Sequence, residues 1–564
     1  MELSVTVGEV LAVAAFLGRE VLTNFSRAQR LRGIGHAFDA LSAQLSDFRP
    51  ENGSLDVGRA VRGTLLTALA AWVTSAALAA PLVETTSGRV AGTQTQEIAV
   101  FRGLPYAAPP VGALRWRAPQ PAVAWPGTRD ASKVGHACPQ KRGLSLEGGG
   151  DPGTLDEDCL NLNVFTPRAE PGARLPVMVW LHGGALIFGT GGLPLYDGMA
   201  LSRQGVVVVT LNYRLGPLGF FVHPAIEREA PGGAVNFGLL DQIAALQWVQ
   251  RNIAAFGGDP DNVTLFGQSA GAQSVLALMS SPLSRELMQR AIVQSAYGLP
   301  ARPRAKARET GVRVASAVGL SGADASAEQL RSVPAARLAA LEGNDLSLAP
   351  GFVIGDPVVP VAPVEAFRAG TQAGIPLLIG SNSDETSVAL AFGIQPAQLI
   401  KKLGVGGVLV RPLYRDVKDD AELGRQVVRD AVFTAFARRI AVLHAAKAPV
   451  WRYYFDRVPE GLRGKQSGVP HGGEVPPVFG TADLCACTGA TPTDSDRAAA
   501  KAMAARWVSF ARAGQPDVPG LPAWPADGNF KNVLLEFGDK QVVRPAFMRH
   551  RLNAFIAAGN LLGP

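Results

Sequence analysis

The chain has 564 residues, 47% of them hydrophobic and 18% charged, with a formal net charge of +7. That balance belongs to a globular protein with a large core and excludes a disordered or fibrous chain. The positive charge is spread without a Lys/Arg run or a basic stripe interleaved with aromatics, which argues against a nucleic-acid binder.

Residues 1–79 hold seven Arg and seven acidic residues, so the net charge rests on the remainder. Leu11, Ala14, Ala15, Leu22 and Phe25 fall at helical spacing in the first stretch, with Gly18 interrupting the same face. Residues 59–80 then read RAVRGTLLTALAAWVTSAALAA. Arg59 and Arg62 supply positive charge, residues 64–75 an uncharged apolar run, and Ala77-Leu78-Ala79 a small-residue cleavage site. This is the pattern of an export signal, and the run is short and alanine-rich for a membrane anchor. The expected organisation is an N-terminal extension over 1–56, a signal peptide over 57–79 and a catalytic domain over 80–564. Because a signal is read at a chain start, translation of the native protein is expected to begin near Leu55 or Val57. The expected location is secreted or periplasmic, with no membrane span after signal removal.

Past Pro81, short apolar runs alternate with longer helical patterns. Residues 177–181 (VMVWL) and 206–211 (VVVVTL) read as strands buried on both faces. Residues 239–256 place Leu239, Ile243, Leu246, Val249 and Ile253 at helical spacing, and Gly257-Gly258-Asp259-Pro260 ends that helix. A strand at 263–266 leads through a turn at 267–271 into an apolar helix reaching Met279. Later strands are expected at 377–379 and 450–455, a helix at 497–513 and a final strand at 533–537. This alternation predicts an α/β fold with a mostly parallel central sheet and helices on both faces.

Gly267-Gln268-Ser269-Ala270-Gly271 is a G-x-S-x-G between a strand and a helix. A nucleophilic serine needs that context: a tight turn projects its hydroxyl from the sheet edge, glycines let neighbouring backbone pass, and a helix N-terminus favours developing negative charge. His182-Gly183-Gly184-Ala185 follows directly on another strand. The N–H groups of Gly183, Gly184 and Ala270 are candidate donors to an oxyanion. In this arrangement acid and base follow the serine in chain order, which leaves His444, His471 and His550. His444 and His550 lie in helical contexts, whereas His471 lies in the Gly/Pro-rich loop GVPHGGEVPP, where a general base is expected. The strand at 377–379 runs into GSNSDET, offering Asp384 and Glu385 as the orienting acid, with Asp356 an outlying candidate.

Residues 256–271 (FGGDPDNVTLFGQSAG), 157–167 (EDCLNLNVFTP) and 101–119 (FRGLPYAAPPVGALRWRAP) resemble signatures of the type-B carboxylesterase family, which includes cholinesterases and bacterial para-nitrobenzyl esterases. The resemblance runs over roughly residues 82–557 and implies an α/β-hydrolase fold. It implies Ser269 as nucleophile, Glu385 as triad acid and His471 as base. It also implies an oxyanion hole at Gly183, Gly184 and Ala270, and a disulfide between Cys138 and Cys159. The family's Asp-Glu-Gly reads Asp384-Glu385-Thr386 here. Asn161 stands where the family has an aromatic residue or Thr, and Gln268 replaces a Glu that commonly precedes the serine. The segment between Cys138 and Cys159 has no aromatic residue, so the face that would bind a quaternary ammonium is missing and choline esters are disfavoured. Cys485 and Cys487, spaced Cys-x-Cys, are too few for a zinc site and read as a local disulfide or free thiols.

The expected function is a secreted serine carboxylic ester hydrolase working through an acyl-enzyme on a small-molecule or polymeric ester. No metal and no organic cofactor is called for. The alternatives are a lipase or polyester-active hydrolase of the same fold, or a non-catalytic cholinesterase-like binding protein.

Overall fold

Residues such as Val207, Val208 and Val209 are apolar on both sides of the strand pleat, and a strand of that kind is stable only when covered twice. In a computed structural model the chain is described over residues 80–143, 150–298, 302–341, 348, 350–391, 395–402, 410–484, 489–528 and 531–561. The N-terminal extension, the signal segment, Cys485 and Cys487 lie outside the described residues.

The strands begin with β1 (Leu82–Thr85), β2 (Gly88–Ala91), β3 (Thr93–Thr95), β4 (Ile98–Pro105) and β5 (Thr128–Asp130). They continue with β6 (Asn161–Thr166), β7 (Leu175–Leu181), β8 (Val207–Leu211), β9 (Gly258–Gln268) and β10 (Arg290–Gln294). The last are β11 (Arg302–Pro303), β12 (Val353–Ile354), β13 (Leu377–Asn382), β14 (Val450–Phe455), β15 (Val533–Phe537) and β16 (Gln541–Pro545). Eleven of them form one sheet in the order β16-β15-β14-β13-β10-β9-β7-β8-β6-β4-β3. From β8 to β15 the neighbours are parallel, while β16 and the β6-β4-β3 flank pair antiparallel. The mostly parallel sheet expected from sequence is therefore present, with antiparallel edges.

Successive residues of the central strands face opposite layers. Val177, Val179 and Leu181 of β7 join Leu239, Ile243 and Leu246 of helix α1 (Phe237–Asn252) and Val275 of helix α2 (Ala270–Ser280) in one core. Met178 and Trp180 point the other way. They pack with Val478 and Phe479 of helix α4 (Val475–Phe479) and Trp507 and Phe510 of helix α5 (Asp494–Ala513). Helix α3 (Ala435–His444) also contributes to the first core, through Ile440 and Ala441. Each large apolar side chain buried this way contributes about 1.5–3 kcal/mol.

Two boundaries differ from the sequence reading. The helix that starts at Phe237 becomes a 3-10 turn at Ile253–Phe256 and stops at Gly257, whose φ of 82° is left-handed. Gly258, Asp259 and Pro260 then begin β9 rather than forming a loop, because Leu175 at the start of β7 lies opposite Gly258 and extends the pairing. The strand at 533–537 is not the last; β16 folds back on it. Cys138 and Cys159 are joined by a disulfide, both almost fully buried. No helix among the described residues is long and apolar enough to cross a membrane.

The parallel strands all run in one direction, so Leu181, Gln268, Gln294, Asn382 and Phe455 end along the same sheet edge. Loops after those ends gather the chemistry-bearing motifs, as expected for open α/β sheets.

Candidate active site

Ser269 joins β9 to α2 with φ 56° and ψ −122°, a region that non-glycine residues rarely adopt. Such a residue costs about 1–3 kcal/mol and persists only where its surroundings hold it. Its N–H donates to the Gln294 carbonyl at 2.9 Å, and its carbonyl accepts from Gln273 N–H at 2.9 Å. The two glycines of the motif are needed for space. A Cβ on Gly271 would lie 2.0 Å from the Leu181 carbonyl oxygen, and one on Gly267 would lie 2.7 Å from Gly271 backbone. The turn is thereby pressed against the end of β7, where the His182-Gly183-Gly184 segment begins.

His471 and Glu385 come together at that edge. The imidazole Nδ1 is 2.5 Å from Glu385 Oε2, both side chains being buried. Glu385 is fixed through its other oxygen, which accepts from Asn382 N–H at 2.6 Å and from Ser295 Oγ at 2.6 Å. The His471 N–H donates to Ser387 Oγ at 2.8 Å. The other ring nitrogen, Nε2, lies 3.2 Å from Nε2 of Gln268, the residue before Ser269. The ring therefore spans from the loop after β13 to the turn after β9.

The remaining candidates lie elsewhere. Asp384 pairs by backbone with the segment before His471, but its carboxylate faces Arg425 at 3.9 Å. Burial pushes that carboxyl above its ordinary range, and the neighbouring charge of Glu385 adds to this against the pull of Arg425. Asp356 is a buried turn anchor that accepts from the N–H groups of Val235, Val358 and Val359. His444 ends α3, bonded to the Ile375 carbonyl at 2.7 Å and to Gln372, with burial holding its pKa below the ordinary value. His550 is exposed on helix α6 (Arg549–Leu561).

Gly183 and Gly184 follow β7 as anticipated, and their N–H groups form no hydrogen bond among the described residues. The N–H of Ala270, first residue of α2, has no acceptor within its own helix. Gly184 has φ 103°, and a Cβ there would strike the Phe188 carbonyl oxygen at 2.0 Å. His182 braces this segment. Its Nδ1 is 2.8 Å from the Gly183 carbonyl, and its ring stacks on Tyr213 at 4.4 Å. Burial lowers the His182 pKa from 6.5 to about 4, against the opposing effect of that hydrogen bond, so the ring is neutral and donates. In a trans peptide the C=O of Gly183 and the N–H of Gly184 point opposite ways. Pinning the carbonyl therefore aims the N–H. Gln140, two residues beyond Cys138, clamps the same loop by exchanging hydrogen bonds with Gly189 at 2.8 and 2.9 Å. The disulfide loop thus supports the glycine segment.

Several site residues escape the sequence reading. Ser295 follows the last residue of β10, the strand paired with β9, and carries no motif. Glu474, three residues after His471, is fully buried, and accepts from Gln294 at 3.1 Å and from Asn382. Burial pushes its carboxyl above the ordinary range, and the charge of Glu385 raises it further. Phe433 lies in a π-helical turn, Arg429–Thr434, with its ring 5.2 Å from the His471 ring. Asn161, which departs from the family's aromatic residue or Thr, is a structural clasp: its amide donates to the carbonyls of His136 at 2.9 Å and Cys159 at 3.1 Å. No group of three or more His, Cys, Asp or Glu among the described residues is placed to hold a metal ion.

Residues 79–404 and 413–555 match the profile of the carboxylesterase family. This chain belongs to that family. A fumonisin B1 esterase of Sphingopyxis macrogoltabida is 39% identical over 78% of this carboxylesterase and 83% of its own length. A para-nitrobenzyl esterase of Bacillus subtilis is 37% identical over 79% and 92% respectively. Among solved structures, a carboxylesterase of Geobacillus stearothermophilus superposes with a TM-score of 0.75 at 34% identity, covering 84% of this chain and 99% of that one. The enzyme therefore has the α/β-hydrolase fold and is a serine ester hydrolase by family.

Proposed function

We propose that this carboxylesterase is exported and cleaves carboxylic esters through a Ser269–His471–Glu385 triad. The observation that carries the reading is the 2.5 Å bond between His471 Nδ1 and Glu385 Oε2, formed beside the strained turn of Ser269. Glu385 holds the proton of the neutral ring on Nδ1, which leaves Nε2 as the base. His471 takes the hydroxyl proton of Ser269 as its oxygen attacks the ester carbonyl. The N–H groups of Gly183, Gly184 and Ala270 receive the charge on the tetrahedral oxygen. His471 then protonates the departing alcohol, and a water molecule repeats the sequence on the acyl-enzyme to release the acid.

Export is supported by residues 57–79 as a signal and by the Cys138–Cys159 disulfide, a bond that persists in oxidising compartments. The family match begins at residue 79, at the expected cleavage site. Relatives are named for substrates as different as fumonisin B1 and a para-nitrobenzyl ester, so the acyl and alcohol preferences are best read from a graded series. Protein collected from the native periplasm or medium is expected to begin at or near Ala80 and to hydrolyse para-nitrophenyl esters of short and medium acyl length. Preference for long acyl chains would favour the lipase reading instead. The Ser269→Ala variant should lose about 10⁴–10⁶-fold in turnover. A folded variant with more than roughly a tenth of normal turnover would overturn the triad, given that scale.

A further inference from the structure

Gln268 is the last residue of β9 and fully buried. Only one end of its carboxamide is engaged. Nε2 lies 3.2 Å from His471 Nε2, while Oε1 is buried with no hydrogen-bond partner among the described residues. Buried acceptors left without a partner are uncommon and call for a reason.

The tautomer of His471 supplies one. With Glu385 on Nδ1, the neutral ring presents a lone pair at Nε2, and an amide N–H facing that lone pair is attractive. A carbonyl oxygen in the same place would be repelled. Once the ring takes the serine proton, the preference inverts, because Nε2 now carries a hydrogen and the amide offers another. A half-turn of the terminal amide brings Oε1 to the ring, and Oε1 has no existing bond to lose.

We propose that Gln268 is a positioning residue that follows the catalytic proton: its amide donates from the side to His471 Nε2 at rest, sharing that lone pair with the Ser269 hydroxyl, and turns to accept from the imidazolium formed during acylation and deacylation, sharing its Nε2 proton in a three-centre bond with the oxygen that finally takes it. The inference rests on His471 being the general base.

A hydrogen bond to the charged ring is about twice as strong as one to the neutral ring. Gln268 therefore favours the imidazolium on balance, an interaction realised only while the reaction is under way. The other titratable and charged groups around the ring are Glu385 on Nδ1, Glu474 in the same loop, Asp384 with Arg425, and the phenol of Tyr453, which feels both glutamates. All remain in the variants below, so differences among them belong to position 268.

The test uses the full chain in three forms: unchanged, Gln268→Met and Gln268→Glu. The His471 ring is titrated by ¹⁵N side-chain NMR, its signal assigned by its loss in His471→Gln, and kcat/KM for para-nitrophenyl acetate is followed against pH. The midpoint of ring protonation should fall by about half to one pH unit in Gln268→Met and rise in Gln268→Glu. In the Met variant kcat should drop roughly 3- to 10-fold with KM unchanged. A Met midpoint equal to or above that of the unchanged enzyme overturns the proposal. Should the ring midpoints shift in this order while the acid limb of kcat/KM stays fixed, His471 is not the base and the catalytic role of Gln268 falls with it, leaving only its contact with the ring. The unchanged protein gives a check free of folding effects: the side-chain amide resonances of Gln268 should move with the His471 midpoint. Amide signals that ignore it also overturn the proposal.

Discussion

Asp384 and Glu385 are adjacent in the chain, and only Glu385 reaches His471. The strand–loop context alone narrowed the acid to this pair, with Asp356 outlying, and the choice of Glu385 came from the family resemblance, since a loop has no side-chain period to say which carboxylate turns inward. The hydrogen bonds from Asn382 and Ser295 make the choice by fixing Glu385 alone. Glu385→Gln should lower kcat by about 10⁴-fold, the scale found when a triad acid becomes an amide and the ring loses its orientation. Asp384→Asn should cost far less, since Asp384 only pairs loosely with Arg425. Steady-state kinetics on the two variants checks this, and a larger loss for Asp384→Asn would contradict it. His182 illustrates the opposite limit of legibility. Its motif is plain in the sequence, yet the sequence reading took only the glycines from it. The bond from Nδ1 to the Gly183 carbonyl, which gives the histidine its task, depends on a ring packed between Tyr213 and Gly189.

At the scale of elements, the strand–turn–helix around Ser269 was readable because each part has a local signal: a buried apolar run, a glycine pair, and an apolar helix. What the sequence does not disclose is how tightly the helix is seated. Gly271 in α2 sits so close to β7 that an added methyl would meet the Leu181 and His182 carbonyl oxygens at 2.0 and 2.7 Å. Neither backbone atom can move aside cheaply. Gly271→Ala should therefore lift the turn of Ser269 away from Gly183 and Gly184, destabilising the fold by about 1–3 kcal/mol. A displacement near 1 Å at the reacting centre costs about 10²-fold in rate. Urea unfolding and turnover of purified Gly271→Ala measure both effects, and near-normal values would show that the contact is looser than described. The π-helical turn carrying Phe433 had no such local signal. It interrupts the ordinary helical period between two α-helical stretches, Asp420–Val428 and Ala435–His444, and periodicity is the main guide to helices. Glu474 was missed for a related reason, since a buried carboxylate in a Gly/Pro-rich loop looks like an exposed one until its partners are known.

For the molecule as a whole, the α/β alternation was legible because the central strands are apolar on both faces and the intervening helices cover them. The antiparallel edges were not: the outermost strands β3 and β16 are short and half-polar, and the residues of the buried β4 and β6 carry no signal of strand direction. Burial of histidine also gives the molecule a pH dependence. His182 has a folded-state pKa of about 4 against 6.5 when unperturbed, and burial lowers those of His223 and His444 as well. Above pH 6.5 the His182 ring is neutral in both states and its contribution to stability is fully present. As pH falls, the unfolded chain binds a proton that the folded chain refuses, so stability declines until the folded ring also titrates near pH 4. At about 1.4 kcal/mol per pH unit, His182 alone accounts for about 3 kcal/mol across that window. Urea unfolding at pH 7 and pH 4.5 should show a smaller loss in His182→Gln than in the unchanged enzyme. Equal losses would mean that His182 titrates normally in the fold.

The expectations about activity, unlike those about stability, depend on Ser269 forming a covalent acyl intermediate. The most direct measurement is mass spectrometry after treatment with a fluorophosphonate, which transfers its phosphonyl group to an activated serine and expels fluoride. The intact enzyme should gain one phosphonyl group, peptide mapping should locate it on Ser269, and ester turnover should fall in step with the labelled fraction. Labelling of a different residue together with loss of activity, or full activity in protein fully labelled at Ser269, would contradict the account.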